Sequence, residues 1–558
     1  MAFPKSLIIF LVLPFLVTAQ TWCGKNYMQG SAAVPPGGLF QMPATSSAPL
    51  LNFQCSPAIK PYLAGEDASI IIDARITNLQ VPGAVKISNS RNTKPLSVSV
   101  SVNGQKHTLG SVPLNSTGTE FPLSLKSLSP RKQAYTVTCT ATLSGQTFTT
   151  TTELLYLTPP TKGSVTKQDF RTGSLLVKNG ATWEPILPVG FYTSFDGYLS
   201  NVSNVDNIKA RGYSYIESGN DSLNIVHPVP TFDNMTAFEQ ALDRMEELGL
   251  WLMYDMRFTY QNMTSVEEQV NMIKDRPNLL LWYTGDEPDG TSDPLNATKI
   301  AKDFINDLDG GGYHPVSLVL NCQDYFFADY SLGADVLMQD TYPIDINATF
   351  SIVWGTPCTP DIGDCGCDNC KGSLTDISDR MDEFNQRLDL LGRSRSTTVW
   401  TVPQGFGNDT YWPRDPTGNE WLVESILGIN HGGFGVVSWD DPTTPEIQAT
   451  SSALAAAAPR IASFLATPQV KITNFQQGGV DIAVWTLPDG KQSLLLAANT
   501  KTANVSVLLT GVTSGTATEI LNGGATLTPR NGGVALNLAP TGTTGWIFQS
   551  NKIHVDTI

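Results

Sequence analysis

Between residues 161 and 467 the chain repeats one unit, a short apolar run followed by a polar turn and a stripe of apolar residues at helical spacing. Thr236 and Glu239 are spaced as a capping box, Phe238, Leu242, Met245 and Leu248 line one helical face, and Gly249 ends the helix just before a new run at 250–255. Ile377, Met381, Phe384, Leu388 and Leu391 form a second stripe, closed by Gly392 ahead of 397–402. The runs 186–192, 213–217, 250–255, 279–283, 316–320, 336–339, 397–402 and 433–438 make eight candidate strands. Eight strands separated by helices predict a closed parallel (β/α)8 TIM barrel of the α/β class. An open nucleotide-binding sheet is disfavoured because no glycine-rich fingerprint follows the first strand. The last barrel helix is expected over 453–465.

Upstream the period changes to two. Leu96, Val98, Val100 and Val102 alternate with polar residues before an Asn103-Gly104 hairpin, and Tyr135, Val137, Cys139, Ala141 and Leu143 repeat the pattern. A β-sandwich is therefore expected over 55–160, after an N-terminal extension at 20–54, with Thr158-Pro159-Pro160-Thr161 as linker. Short runs such as 493–496 and 505–509 predict a small C-terminal β-domain over 468–558.

Lys5, the apolar run 7–17 and the small residues Val17-Thr18-Ala19 predict a cleaved leader at 1–19 and secretion. No run later in the chain approaches the roughly 20 apolar residues of a membrane helix, so no membrane partner is expected. Asn-x-Ser/Thr acceptors at Asn115, Asn201, Asn220, Asn234, Asn262, Asn296, Asn347, Asn408 and Asn504 predict N-linked glycans. The eight cysteines suit disulfides in an oxidising compartment. Cys55 is the expected partner of Cys139. Cys358, Cys365, Cys367 and Cys370 suggest zinc by crowding, but paired Cys-x-x-Cys knuckles are absent, and a disulfide-tied loop including Cys322 is expected instead. A net charge of −16 excludes nucleic acid as a natural partner and favours a neutral or weakly charged substrate. No metal or organic cofactor is expected.

In such a barrel the chemistry gathers where the strands end. Those positions hold Tyr192, Glu217, Asp255, Asp286, Glu287, Asn321, Gln323, Asp340, Tyr342, Gln404, Trp439, Asp440 and Asp441. Carboxyls can protonate a glycosidic oxygen and stabilise an oxocarbenium-like transition state, amides and acids bind sugar hydroxyls, and aromatic faces stack on sugar rings. Hydrolysis of O-glycosidic bonds in a poly- or oligosaccharide is the expected activity. Tyr192, Glu217, Asp255, Gln323, Tyr342, Gln404, Trp439 and Asp440 are the expected substrate contacts. Other acids have structural readings: Glu420 as a helix cap, Asp293 as a helix start and Asp289 as a solvent-facing loop residue. His431, before strand eight, is read as structural, and Trp412 and Arg414 as loop residues that could reach a subsite.

Asn179-Gly180 followed by Pro185-Ile186-Leu187-Pro188-Val189-Gly190-Phe191-Tyr192 resembles the first barrel strand of the β-galactosidase-like glycoside hydrolases of the large retaining clan. The resemblance spans about 175–465. It implies that Asp286-Glu287-Pro288 corresponds to the clan's strand-four Asn-Glu-Pro, with Glu287 as acid/base, and that Trp439 lines a sugar subsite. The clan's nucleophilic Glu at the end of strand seven is missing, because this chain reads Val402-Pro403-Gln404-Gly405-Phe406 there. Asp340 is the preferred second carboxylate, ahead of Asp440 and Asp441. Asp286-Glu287 is also similar to the pair in β-hexosaminidases, where the substrate's acetamido group attacks, the Asp steadies it and the Glu donates the proton. A non-catalytic carbohydrate-binding or wall-associated protein is the reading from another class.

Overall fold

A computed structural model describes residues 20–87, 94–213, 224–229, 234–513, 515, 517–549 and 553–557. The leader at 1–19, Asn220 and Glu217 lie outside the described residues.

Two four-stranded antiparallel sheets form the N-terminal sandwich. Leu96–Val102 alternates buried and less buried residues along its length, as a strand with one core face must, and Leu51, Ile70, Ile72, Val98 and Val137 meet between the sheets. Asn103 and Gly104 both take left-handed backbone angles and close the hairpin onto Gln105–Val112. Cys55 and Cys139 are joined, as expected. The first strand, Thr45–Pro57, starts ahead of the sandwich boundary placed at residue 55.

Eight parallel strands close the barrel in sequence order: Val189–Ser194, Asn224–Val229, Trp251–Asp255, Leu279–Asp286, Val316–Leu320, Val336–Gln339, Thr398–Thr401 and Val436–Asp441. Two expected strands are displaced. Ile186 ends Thr182–Ile186, which belongs to a small separate sheet, so strand one begins at Val189. Tyr213 ends the helix Ser203–Tyr213, and strand two is Asn224–Val229 in place of 213–217. The physical reason is that strand two carries His227 into the barrel with no exposed surface, balanced by Asp255, and continues into Pro228. An interior position filled by a polar pair does not register as an apolar run.

The helices follow ordinary capping chemistry. Asn234, not Thr236, caps Met235–Glu247 through its side chain to Ala237 N, which replaces the expected capping box. The box at Thr417 and Glu420 is present. The last helix, Pro445–Leu465, starts earlier than expected because Thr444 caps it and Pro445 opens its first turn. Among the described residues no helix is long and apolar enough to cross a membrane.

The floor, where the strands begin, is held by buried ions. Asp335, 2 % exposed, accepts from Lys60 Nζ at 2.7 Å, Lys302 Nζ at 2.9 Å and Val316 N at 3.1 Å. Lys60 comes from the segment that continues the sandwich, and Lys302 from the helix Ala297–Leu308. His431 bridges Asp382 at 2.8 Å and Asp481 at 2.9 Å, tying the barrel helices to the C-terminal seven-stranded sheet. Its reading as structural fits that position.

The remaining disulfides are Cys358–Cys365, Cys367–Cys370 and Cys23–Cys322. Cys322 thus pairs with the N-terminal extension rather than with the crowded loop.

Candidate active site

Strand four is buried along most of its length, and its last residue, Asp286, emerges at the mouth with 30 % of its side chain exposed. Glu287 follows with a left-handed backbone, φ 51°. Such a conformation costs a non-glycine residue something on the order of 1–3 kcal/mol and persists where surrounding contacts over-determine it. Here Glu287 N donates to Val319 O at 3.2 Å, Glu287 O accepts from Thr291 N at 3.2 Å, and Pro288 continues the turn. As a residue Glu287 is half-buried, more exposed than Asp340.

The carboxyl of Glu287 lies at hydrogen-bonding range of Asp340, which follows strand six and is 3 % exposed. Asn321 Nδ2 donates to both, at 3.2 Å to Glu287 Oε1 and 3.4 Å to Asp340 Oδ1. Two carboxyls this close cannot both ionise cheaply. Burial and then the neighbouring Asp340 push Glu287 well above the usual carboxylate range. Burial also raises Asp340, but the hydrogen bond from Glu287 pulls it back. Both carboxyls are thus pushed upward, Glu287 the further of the two, an arrangement suited to one proton between them with Glu287 as its holder.

Asp286 has a different environment. Arg257 Nη1 donates to its Oδ2 at 2.7 Å, and the Tyr283 hydroxyl donates to Oδ1. Arg257 is itself anchored on Asp255, through its backbone N to Oδ1 and its Nε to Oδ2 at 2.7 Å each, and His227 Nε2 meets the same Oδ2 at 2.8 Å. Burial alone would raise Asp255, but Arg257 and His227 hold it below the ordinary range. Burial keeps His227 neutral by lowering it. Arg257 Cζ lies 4.8 Å from the Trp439 ring centroid, which gives the cation an aromatic wall.

The other strand ends divide into open and closed. Trp439 and Asp440 are half-buried, and Ser194 Oγ donates to Asp440 Oδ2 at 3.2 Å. Tyr342, 7 % exposed, packs edge-on against Phe406 and Trp412, with centroids 5.1 and 5.9 Å away. Trp412 therefore joins the strand-seven side of the mouth. Arg414 is paired with Glu420 instead.

Several expected contacts have other partners. Gln404 has no exposed surface. Its Oε1 accepts from Ile344 N at 3.3 Å, its Nε2 donates to Phe406 O at 3.0 Å, and its backbone N is held by Glu424. Burial removes it from the surface a sugar could touch. Asp255 and Tyr192, each 1 % exposed, stand behind the mouth rather than on it. Gln323 spends its amide on Glu383 at 2.9 Å. Asp441 is closed off by a bidentate pair with Arg211 at 2.8 and 2.7 Å, which removes it from the competition for second carboxylate. Asp289 is not solvent-facing. It is 1 % exposed and accepts from Gly290 N, Asn321 N and Cys322 N at 3.0, 3.2 and 2.9 Å, so it fixes the turns that carry Glu287 and Asn321.

Residues that sequence reasoning gave no role include Arg257, His227 and Tyr283, and Asn321 was screened without one. Arg257 had a signal: a cation two residues past the acid that ends strand three. His227 had none, because its strand was misplaced.

No family model matches the sequence, and no curated protein matches it. Among solved structures, the chain is similar to a GH30 endoxylanase from Clostridium papyrosolvens, at 14 % identity and TM-score 0.38 over 66 % of this chain and 98 % of that one. It is similar to a putative alpha-galactosidase from Bacteroides fragilis, at 11 % identity and TM-score 0.42 over 92 % and 99 %. It is also similar to a beta-glucuronidase from Parabacteroides merdae, at 11 % identity and TM-score 0.31 over 91 % and 76 %. Likenesses this distant leave function to be read from the residues of the mouth.

Proposed function

We propose that the protein is a secreted glycoside hydrolase that cleaves O-glycosidic bonds of a poly- or oligosaccharide, with Glu287 as the proton donor. The observation that carries this reading is the pairing of Glu287 and Asp340 on one Asn321 amide at the ends of strands four and six, with Glu287 the better exposed of the two. A carboxyl kept protonated at neutral pH beside an ionised one is the acid and anion that glycosyl transfer needs.

In the first step Glu287 gives its proton to the leaving glycosidic oxygen as the bond from that oxygen to the anomeric carbon breaks. An Asp340 carboxylate oxygen bonds to the same carbon. Water, deprotonated by Glu287, then displaces Asp340. Inversion needs carboxyls roughly 6.5–9.5 Å apart to admit a water and retention roughly 5–5.5 Å; a pair within hydrogen-bonding range lies on the retaining side of both, with the sugar parting the two carboxyls as it binds. Trp439, Asp440 and Tyr342 are the proposed sugar contacts. Screening aryl glycosides and polysaccharides with wild type and Glu287→Gln tests the proposal. Hydrolysis is expected from wild type alone, and the product anomer followed by proton NMR gives the stereochemistry. Saturable sugar binding without turnover would favour the non-catalytic reading.

A second reading is supported by Asp286. It is charge-paired by Arg257, hydrogen-bonded by Tyr283, and more open than Asp340. An anion held beside the protonated Glu287 suits a 2-acetamido sugar whose own carbonyl oxygen attacks the anomeric carbon. Turnover of 2-acetamido glycosides but not their 2-hydroxy counterparts would select it.

Secretion and N-glycosylation rest on the leader, the four disulfides and the acceptor sites. Every acceptor Asn among the described residues is exposed. A mass loss on enzymatic deglycosylation is the check.

A further inference from the structure

Among the described residues Asn321 is the one side chain hydrogen-bonded to both members of the carboxyl pair, and its amide could face them with either end. At its far end stands Trp22, in the short strand Thr21–Trp22 of the N-terminal extension. The indole Nε1 donates to Asn321 Oδ1 at 3.0 Å. An indole N–H is a donor only, so the end it meets must be the oxygen and the end facing the carboxyls must be the NH2.

Three further contacts seat this strap on the mouth. The Cys23–Cys322 disulfide joins it to the residue after Asn321. Cys23 N donates to Gly290 O at 3.3 Å. Gly290 lies so close under the indole that a Cβ there would come within 2.4 Å of the ring. Arg380 Nη1 holds the Asn321 carbonyl at 2.6 Å, so the backbone is fixed and the side-chain amide is left to Trp22.

We propose that Trp22 is a positioning residue of the active site: by orienting the Asn321 amide it favours the singly protonated state of the Glu287–Asp340 pair. This inference rests on the reading of Glu287 as the acid. Two amide hydrogens pointed at the pair favour its charged, singly protonated state. An amide turned about presents an oxygen to an ionised Asp340 and disfavours it. The other groups facing the pair are Asp286 and Asp289, which repel charge there, Arg380, which attracts it, and the hydroxyls of Tyr342 and Tyr192, which burial keeps protonated. None of these touches Trp22 through a hydrogen bond in the described residues.

The test uses two variants that disturb the bond from opposite sides. Trp22→Phe keeps a ring and removes the donor, and Gly290→Ala keeps the donor and displaces the ring. In both, the loss of the first proton, from the pair's doubly to its singly protonated state, is expected to move up by about one pH unit. The same shift should appear on the acid limb of kcat, with KM within about twofold. The readout independent of turnover is the carboxyl band in infrared difference spectra, taken as wild type minus Glu287→Gln across pH. An unshifted titration in a folded Trp22→Phe protein overturns the inference. Failure of wild type to hydrolyse any glycoside overturns the hydrolase reading instead, and the infrared titration still decides the role of Trp22.

Discussion

The ends of strands four and seven occupy equivalent places on the rim, yet one is built for proton transfer and the other for closure. At strand four a left-handed residue lifts Glu287 into the opening, where it pairs with Asp340. At strand seven Gln404 is sealed beneath the loop, with both ends of its amide bonded and the buried Glu424 carboxyl below it. Position on the barrel does not supply chemistry by itself. An ionisable group must also be exposed to the substrate and shifted by its neighbours, and only one of these two ends has both.

The contrast can be broken most directly at Glu287. Glu287→Gln should reduce turnover by roughly a thousand-fold, the scale of a lost general acid, without loss of fold. Retained activity measured on the purified variant would remove the distinction between the two ends. Asp340→Asn is expected to cost about as much, roughly a thousand-fold, because an amide cannot form the glycosyl bond proposed for the carboxylate. It should also lower the pH at which the basic limb of the rate profile falls, because Glu287 loses the neighbouring charge that holds its proton.

Gln404→Glu sharpens the comparison from the other side. The new carboxyl can donate to Phe406 O only when protonated and sits beside Glu424, so its folded pKa is raised. The unfolded chain then ionises first, and stability should fall as pH rises above about 4, by roughly 1–3 kcal/mol in chemical denaturation. A gain in turnover would instead show that strand seven can serve as the seat of the nucleophile. The smallest effect is expected far from the mouth. Burial would lower His431, but Asp382 and Asp481 raise it to about 10, so its stabilisation is full below the unfolded value near 6.5 and is lost as pH rises toward 10. His431→Gln should flatten that slope in thermal melts and leave the activity profile in place.

The barrel was legible because its helices bury periodic stripes such as Ile377, Met381, Phe384 and Leu388, a pattern that local burial alone enforces. Strand two was not, because a buried imidazole, His227, set against the Asp255 carboxylate fills its interior place. Glu287 was legible as an acid directly after a buried strand. The behaviour of Asn321 was not, since its amide direction depends on Trp22, 299 residues away. Asp289 shows the same limit. Its sequence neighbourhood suggests an exposed loop, while the three N–H groups it gathers come together only when the turns after strands four and five meet.

The Asp335 cluster bears on how the molecule can be taken apart. One of the two ammonium groups that neutralise this carboxylate, Lys60, lies more than a hundred residues before the first barrel strand. A fragment cut at the Thr158–Thr161 linker would therefore keep an enclosed anion with half its countercharge, and stripping a partner from a buried ion commonly costs about 3–5 kcal/mol. The barrel is a unit of architecture but not an autonomous one, and a truncated chain that fails to accumulate would be reporting a missing lysine, not a missing function.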